Sequence, residues 1–124
     1  MHDRSVAGLR ILVAEDEYLL ADDLSQELRD AGAEVIGPVA TVRDAKEVVE
    51  SGQAVDAAVL DVNLGGEMIF PVADQLVRRH VPFAFITGYD SWILPARFAD
   101  APRFGKPISA ALVRNLIAPL VGAP

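Results

Sequence analysis

The sequence predicts an α/β domain built on a parallel sheet, and three observations predict it. Short apolar runs alternate with helix-periodic runs along most of the 124 residues, the pattern of successive βαβ units. The apolar runs are continuous, as in strands covered on both faces. Acidic residues or a lysine stand where three of these runs end: Glu15-Asp16, Asp61 and Lys106. In an open parallel sheet, the strand carboxyl ends form the edge that binds ligands.

The elements follow in order. Arg10 to Ala14 is the first strand. A helix runs from there to about Ala31, with Leu20, Leu24 and Leu28 four apart on one face, and Gly32 ends it as a C-terminal cap. Ala33 to Val39 is the second strand, and Gly37-Pro38 inside it point to an edge strand or a bulge. Thr41 is an N-cap, with Asp44 three residues on, for a helix to about Ser51. Val42, Ala45, Val48 and Val49 form its apolar side. Asp56 to Leu60 is the third, central strand, and Gly65-Gly66 break the chain after it. A third helix starts near Pro71 and runs to about His80, with Val72, Ala73, Leu76 and Val77 inward. Pro82 to Ile86 is the fourth strand. Between Gly88 and Pro102 the periodicity fails and Pro95 and Pro102 interrupt it, so a fourth helix is short or poorly formed. Phe104 marks a brief fifth strand. Ser109 caps a last helix with Leu112, Leu116 and Leu120 on one side, limited by Pro119.

Composition bounds what this domain does. At 52% hydrophobic and 23% charged, residues 1–124 are expected to fold as one unit, with residues 1–8 a loose lead-in. No apolar run approaches the roughly 18 residues of a membrane span, so no membrane partner is expected. The absence of cysteine excludes disulfides and thiolate metal sites and fits a cytoplasmic setting. A net charge of −7 argues against nucleic acid, whose binding requires a basic face.

The residue types at the rim suit one chemistry. Magnesium takes oxygen ligands and keeps several waters. Asp16 and Asp61 can supply two ligands, Glu15 can reach through a water, and a backbone carbonyl just after Asp61 can add another. A carboxylate can also attack phosphorus to form an aspartyl phosphate, and Asp61 ends the central strand. Catalysis of such a transfer is mainly positioning and electrostatics, with Lys106 as a compact positive charge. The Thr87 hydroxyl can donate to a phosphoryl oxygen, and Gly88 leaves an approach path. Each residue also has a plainer reading: an acidic first helical turn for residues 15–17, a surface ion pair for Lys106, a turn cap for Thr87.

The ordered set Glu15-Asp16, Asp61, Thr87 and Lys106-Pro107 closely resembles the CheY-like receiver domain of two-component response regulators, over roughly Leu9 to Leu120. The resemblance implies a flavodoxin-like, doubly wound sheet of order 2-1-3-4-5 with helices on both faces. It implies that Asp61 accepts a phosphoryl group from a histidine kinase. Asp16, Asp61 and the backbone carbonyl of Asn63 would bind Mg2+ with Glu15, and Thr87 and Lys106 would form the switch pair beside a cis bond before Pro107. Phe85-Ile86-Thr87-Gly88-Tyr89 is similar to the FATGUY signature of an alphaproteobacterial receiver subfamily, as are Gly37-Pro38-Val39-Ala40 and the segment Asp61 to Glu67. Members are commonly stand-alone receivers, associated with HWE or HisKA2-like histidine kinases and general stress signalling.

Three positions depart from typical receivers. Glu15 replaces the usual first Asp, Ile86 replaces the signature's Ala, and Arg103 stands where many receivers carry an aromatic switch residue. Tyr89 is the candidate substitute, unless it only covers apolar surface. The expected switch moves Thr87, Gly88, Tyr89, Lys106 and Pro107 and shifts the segment up to Pro102. A partner then meets the face near the fourth and last helices. Trp92, Arg97 and Phe98 either contribute to that surface or, for Phe98 above all, fill the space of a missing helix. His2 and His80 have no expected role. No output domain is expected after Pro124, and action through a downstream protein target, or by draining phosphate from a kinase or phosphotransfer protein, is expected.

Three other readings stand beside this one. A phosphohydrolase with Asp61 as nucleophile would need a second acid two residues on, where Asn63 stands. An FMN site would need hydroxyls and amides where Glu15-Asp16-Glu17 would repel phosphate. A pseudo-receiver would fold alike and only bind partners.

Overall fold

A run of continuously apolar strand residues must divide between two faces, because successive side chains point to opposite sides of a strand. A computed structural model, which describes residues 6–88 and 94–106, shows that division. Five parallel strands form one sheet: β1 (Arg10–Ala14), β2 (Glu34–Val39), β3 (Ala57–Asp61), β6 (Phe83–Thr87) and β7 (Arg103–Gly105), in the order β2-β1-β3-β6-β7. Counting these five strands alone, that is the expected order 2-1-3-4-5.

Ile11, Val13, Ala57, Val59, Ala84 and Ile86 line one face and pack with Leu24 and Leu28 of α1 (Tyr18–Asp30). Leu12, Ala14, Ala58, Leu60, Phe83 and Phe85 line the other, with α2 (Val42–Glu50) and α3 (Phe70–Arg78). Helices thus cover both faces. Val6 and Gly8, within the lead-in, are tied to the fold: Val6 is fully buried and Gly8 N–H donates to the Gly32 carbonyl at 2.9 Å.

Local chemistry sets the ends of the helices. Thr41 Oγ1 accepts from Asp44 N–H at 3.0 Å and caps α2. Gly32 takes φ +95° at the end of α1, while Ala33 N–H reaches back to the Leu28 carbonyl at 3.0 Å. That bond holds Ala33 in the cap, so β2 starts one residue later than expected. Gly37-Pro38 produce both expected features. β2 is an edge strand, and its register slips by one residue between Leu12–Ile36 and Ala14–Val39.

Some expectations need correction. β3 starts at Ala57, because the Asp56 carboxylate and N–H are both engaged with the Arg10 backbone (2.8 and 2.7 Å). Gly65-Gly66 do more than break the chain. They turn a small antiparallel hairpin of β4 (Asn63–Leu64) and β5 (Glu67–Met68), with φ +61° and +93°, the conformation a tight hairpin demands. Val77 faces outward and is 53% exposed, since it lies about 100° round the helix from buried Leu76. Leu20 is only half-buried, near the rim end of α1.

Between β6 and β7 the described residues form a single 3-10 turn at Ala96–Phe98, in keeping with a short fourth helix. Phe98 fills the space. It is buried and stacks on Phe70 at 5.7 Å, with edge contacts to Phe83 and Phe85. The last helix expected from Ser109, with Leu112, Leu116, Leu120 and Pro119, lies outside the described residues, as do Trp92 and His2. No helix among the described residues is long and apolar enough to cross a membrane.

Candidate functional site

Parallel strands put their carboxyl ends on one edge, so residues far apart in the chain meet there. Glu15 follows β1 and keeps its register through Glu15 N–H to the Val39 carbonyl (3.0 Å). Asp61 is the last residue of β3 and Thr87 the last of β6. Lys106 follows β7, and its N–H donates to the Thr87 carbonyl at 2.9 Å. Between these ends lies a cleft of about 260 Å³, lined by Asp16, Asp61, Asn63, Thr87, Gly88 and Lys106 among others.

Carboxylate oxygens of Glu15, Asp16 and Asp61 lie within 4.8 Å of one another. Lys106 Nζ is 3.1 Å from Asp61 Oδ2 and 3.6 Å from Glu15 Oε2. Asp61 Oδ1 accepts from Asn63 N–H at 3.2 Å. The Asn63 side chain turns away and accepts from Gly66 N–H, closing the hairpin. The Thr87 hydroxyl is buried and donates to the Phe104 carbonyl at 3.2 Å, two residues before Lys106.

Burial dominates the ionisation of this cluster. It pushes Glu15 up to about 7; the Glu17 N–H pulls the other way, and the charge of Asp61 adds to the rise. Burial also raises Asp61, against hydrogen bonds from Lys106, Glu15 and Asn63. Burial works against the Lys106 ammonium, but its bond to Asp61 and the surrounding carboxylates win and raise its pKa.

The donor set fits a hard divalent cation. All the candidate ligands are oxygens, and Glu15 Oε1 is buried with no hydrogen-bond partner among the described residues.

Solved structures share this architecture. A response regulator receiver protein from Sinorhizobium medicae WSM419 superposes with a TM-score of 0.80 at 26% identity, over 96% of this chain and 98% of that one. SdrG from Sphingomonas melonis Fr1 matches at 40% identity with a TM-score of 0.76, over 94% of this chain and 99% of its own. The chain belongs to the response regulator receiver family.

A BeF3-activated conformation of SdrG, from Pseudomonas melonis Fr1, is also similar (TM-score 0.74, 40% identity, 93% of this chain and 98% of that one). Among curated proteins, the transcriptional regulatory protein PdtaR of Mycobacterium tuberculosis (strain H37Rv) is 27% identical over 109 residues, covering 87% of this chain and 53% of PdtaR. This receiver chain therefore spans about half the length of that relative. No protein-family model matches the chain.

The receiver cleft brings together Glu15, Asp16, Asp61, Asn63, Thr87, Gly88 and Lys106. Tyr89 and Pro107, with the cis bond expected before it, lie outside the described residues. Arg97, named for a candidate partner surface, is paired with α3. It holds both Asp74 oxygens at 2.8 and 3.0 Å and lies over the Phe98 ring. Arg103 donates to the carbonyls of Phe98 and Ala99, fixing the 3-10 turn to β7.

Three cleft residues, Glu17, Val62 and Met68, were missed from sequence. Glu17 reaches Lys106 at 3.2 Å, and Met68 forms part of the wall. The glycine pair at 65–66 between Asn63-Leu64 and Glu67-Met68 was the available signal for a hairpin that brings Met68 back over the cleft.

Proposed function

We propose that Asp61 accepts a phosphoryl group from a histidine kinase, of the HWE or HisKA2-like kind, or from a phosphotransfer protein. The observation that carries this reading is the meeting of three carboxylates within 4.8 Å with an ammonium 3.1 Å from Asp61, at the rim of a receiver sheet. The BeF3-activated form of a relative 40% identical supports it, because fluoroberyllate mimics a phosphoryl group.

In this reading one Asp61 oxygen attacks phosphorus as the bond from phosphorus to the donor nitrogen breaks. The nitrogen keeps the electron pair, and a mixed anhydride forms. Glu15, Asp16, Asp61 and the Asn63 backbone carbonyl would hold Mg2+. When bound, the ion supplies positive charge for the carboxylates and for a phosphoryl oxygen. Lys106 holds a second oxygen. Thr87 leaves the Phe104 carbonyl to donate to the phosphoryl, and Gly88, Tyr89 and Pro107 shift with the pair. The changed surface binds a downstream protein target. The domain acts as a cytoplasmic signalling module that assists its own phosphorylation and dephosphorylation.

The test is mass spectrometry after treatment with a small acyl-phosphate donor. A single added phosphate is expected with Mg2+, lost on chelation and in Asp61→Asn. An unlabelled wild type would leave a scaffold that only binds partners.

A further inference from the structure

The phosphoryl chemistry leaves one carboxylate without a role. Glu17 Oε1 lies 3.2 Å from Lys106 Nζ, as close as Asp61 does, yet Glu17 is no part of the cluster that fits a cation. Its position is set by its own backbone, whose N–H donates to Glu15 Oε2 at 2.9 Å. It stands just before α1, makes no side-chain capping bond there, and lines the same cleft as Asp61.

A lysine ammonium has three donors and no acceptor. Asp61 and Glu17 each take a hydrogen bond from it, and Glu15 lies within ion-pair distance. Lys106 is also the only cation among the described residues lining the cleft. A phosphoryl group on Asp61 must therefore draw on an ammonium that Glu17 already holds at the mouth. Glu17 adds negative charge where an anion enters.

We propose that Glu17 is a positioning residue, one that restrains Lys106 and weakens the hold of the cleft on a phosphoryl group. The inference rests on the reading of Asp61 as the phosphoryl site. With the charge at position 17 removed, Lys106 turns wholly to the phosphoryl. Glu17 is 58% exposed at its side chain, so the gain is about fivefold in affinity, the upper range for a solvent-facing ion pair.

The experiment titrates the full chain with fluoroberyllate in saturating Mg2+, for wild type, Glu17→Gln and Glu17→Ala. It follows the Lys106 13Cε resonance and the backbone amides of Thr87 and Gly88. Both variants are expected to bind about fivefold tighter. In the free variants, the Lys106 13Cε resonance is expected to move from its wild-type position toward that of the adduct. Unchanged or weaker binding, beside a wild type that binds, overturns the inference and leaves the phosphoryl site standing. Tighter binding with an unmoved Lys106 resonance also overturns it, reducing Glu17 to a repelling charge. No adduct on the wild type removes the phosphoryl reading itself, and this inference with it.

Discussion

A buried glutamate beside a buried aspartate is caught near neutral pH between two protonation states. Glu15 is 2% exposed and its pKa is raised to about 7, mainly by burial. From about pH 4.5 to 7 the folded chain keeps a proton that the unfolded chain has released. Stability therefore falls as pH rises through that window. Asp61, also raised, adds to the same slope. Mg2+ would bind the ionised form, so its stabilising effect should grow as pH rises toward 7 and vanish with EDTA. Thermal melts at pH 5, 6 and 7.5, with and without Mg2+, check this; Glu15→Gln should flatten the slope. Position 15 was legible from sequence as part of an acidic rim. Its burial was not, because nothing in Glu15-Asp16-Glu17 says which of three adjacent carboxylates turns inward. The backbone route from β1 into α1 decides that, burying Glu15 and leaving Asp16 and Glu17 outside.

At the level of single elements, caps and turns follow local rules, and most were readable. Thr41 caps α2 as its sequence indicates, and Thr41→Ala should cost about 1 kcal/mol in chemical denaturation. The end of α3 is less ordinary. His80 takes φ +60°, with His80 N–H to the Val77 carbonyl and Val81 N–H to the Leu76 carbonyl, the arrangement glycine adopts at the end of α1. A side chain in that conformation is strained and His80 is exposed, so His80→Gly should stabilise by about 0.5–1 kcal/mol, read as a higher urea midpoint. The stretch after β6 has neither helical period nor strand alternation. What holds its described part is aromatic packing, its own Arg97 clasped to Asp74 of α3, and Arg103 from β7. Phe98→Ala removes a buried ring that touches three others and should cost about 3–5 kcal/mol. Sequence marked Phe98 as a filler because a helix was missing there. It could not mark Arg97 as a partner of Asp74, since that pair forms only when the turn lies on α3.

Across the whole molecule, the sheet sets a gradient of protection. β3 is buried at all five positions and paired on both sides, with β1 and β6. β2 and β7 are edges, and β2 carries the bulge at Gly37-Pro38. Hydrogen exchange should therefore be slowest at the amides of β3 and fastest, among the strands, in β2 and β7. Equal protection across the five strands would contradict the order. The bulge itself is sharply defined. A Cβ at Gly37 would lie 2.7 Å from Val39 N and 3.0 Å from the Val13 carbonyl, where φ is +104°. Gly37→Ala should loosen the β1–β2 pairing and lower the melting temperature.

Alternation of strand and helix runs, continuous apolar strands and the residues at their ends determined the class, the five strands and most of the rim, because they depend on residue type and short spacing alone. Family resemblance added the strand order. The tertiary structure decided which carboxylate is buried, that Glu17 shares Lys106 with Asp61, that a hairpin brings Met68 to the cleft, and that Val77 faces outward. Each of these depends on how elements distant in sequence are set against one another. Contacts across such distances leave no period in a chain for a reader to find.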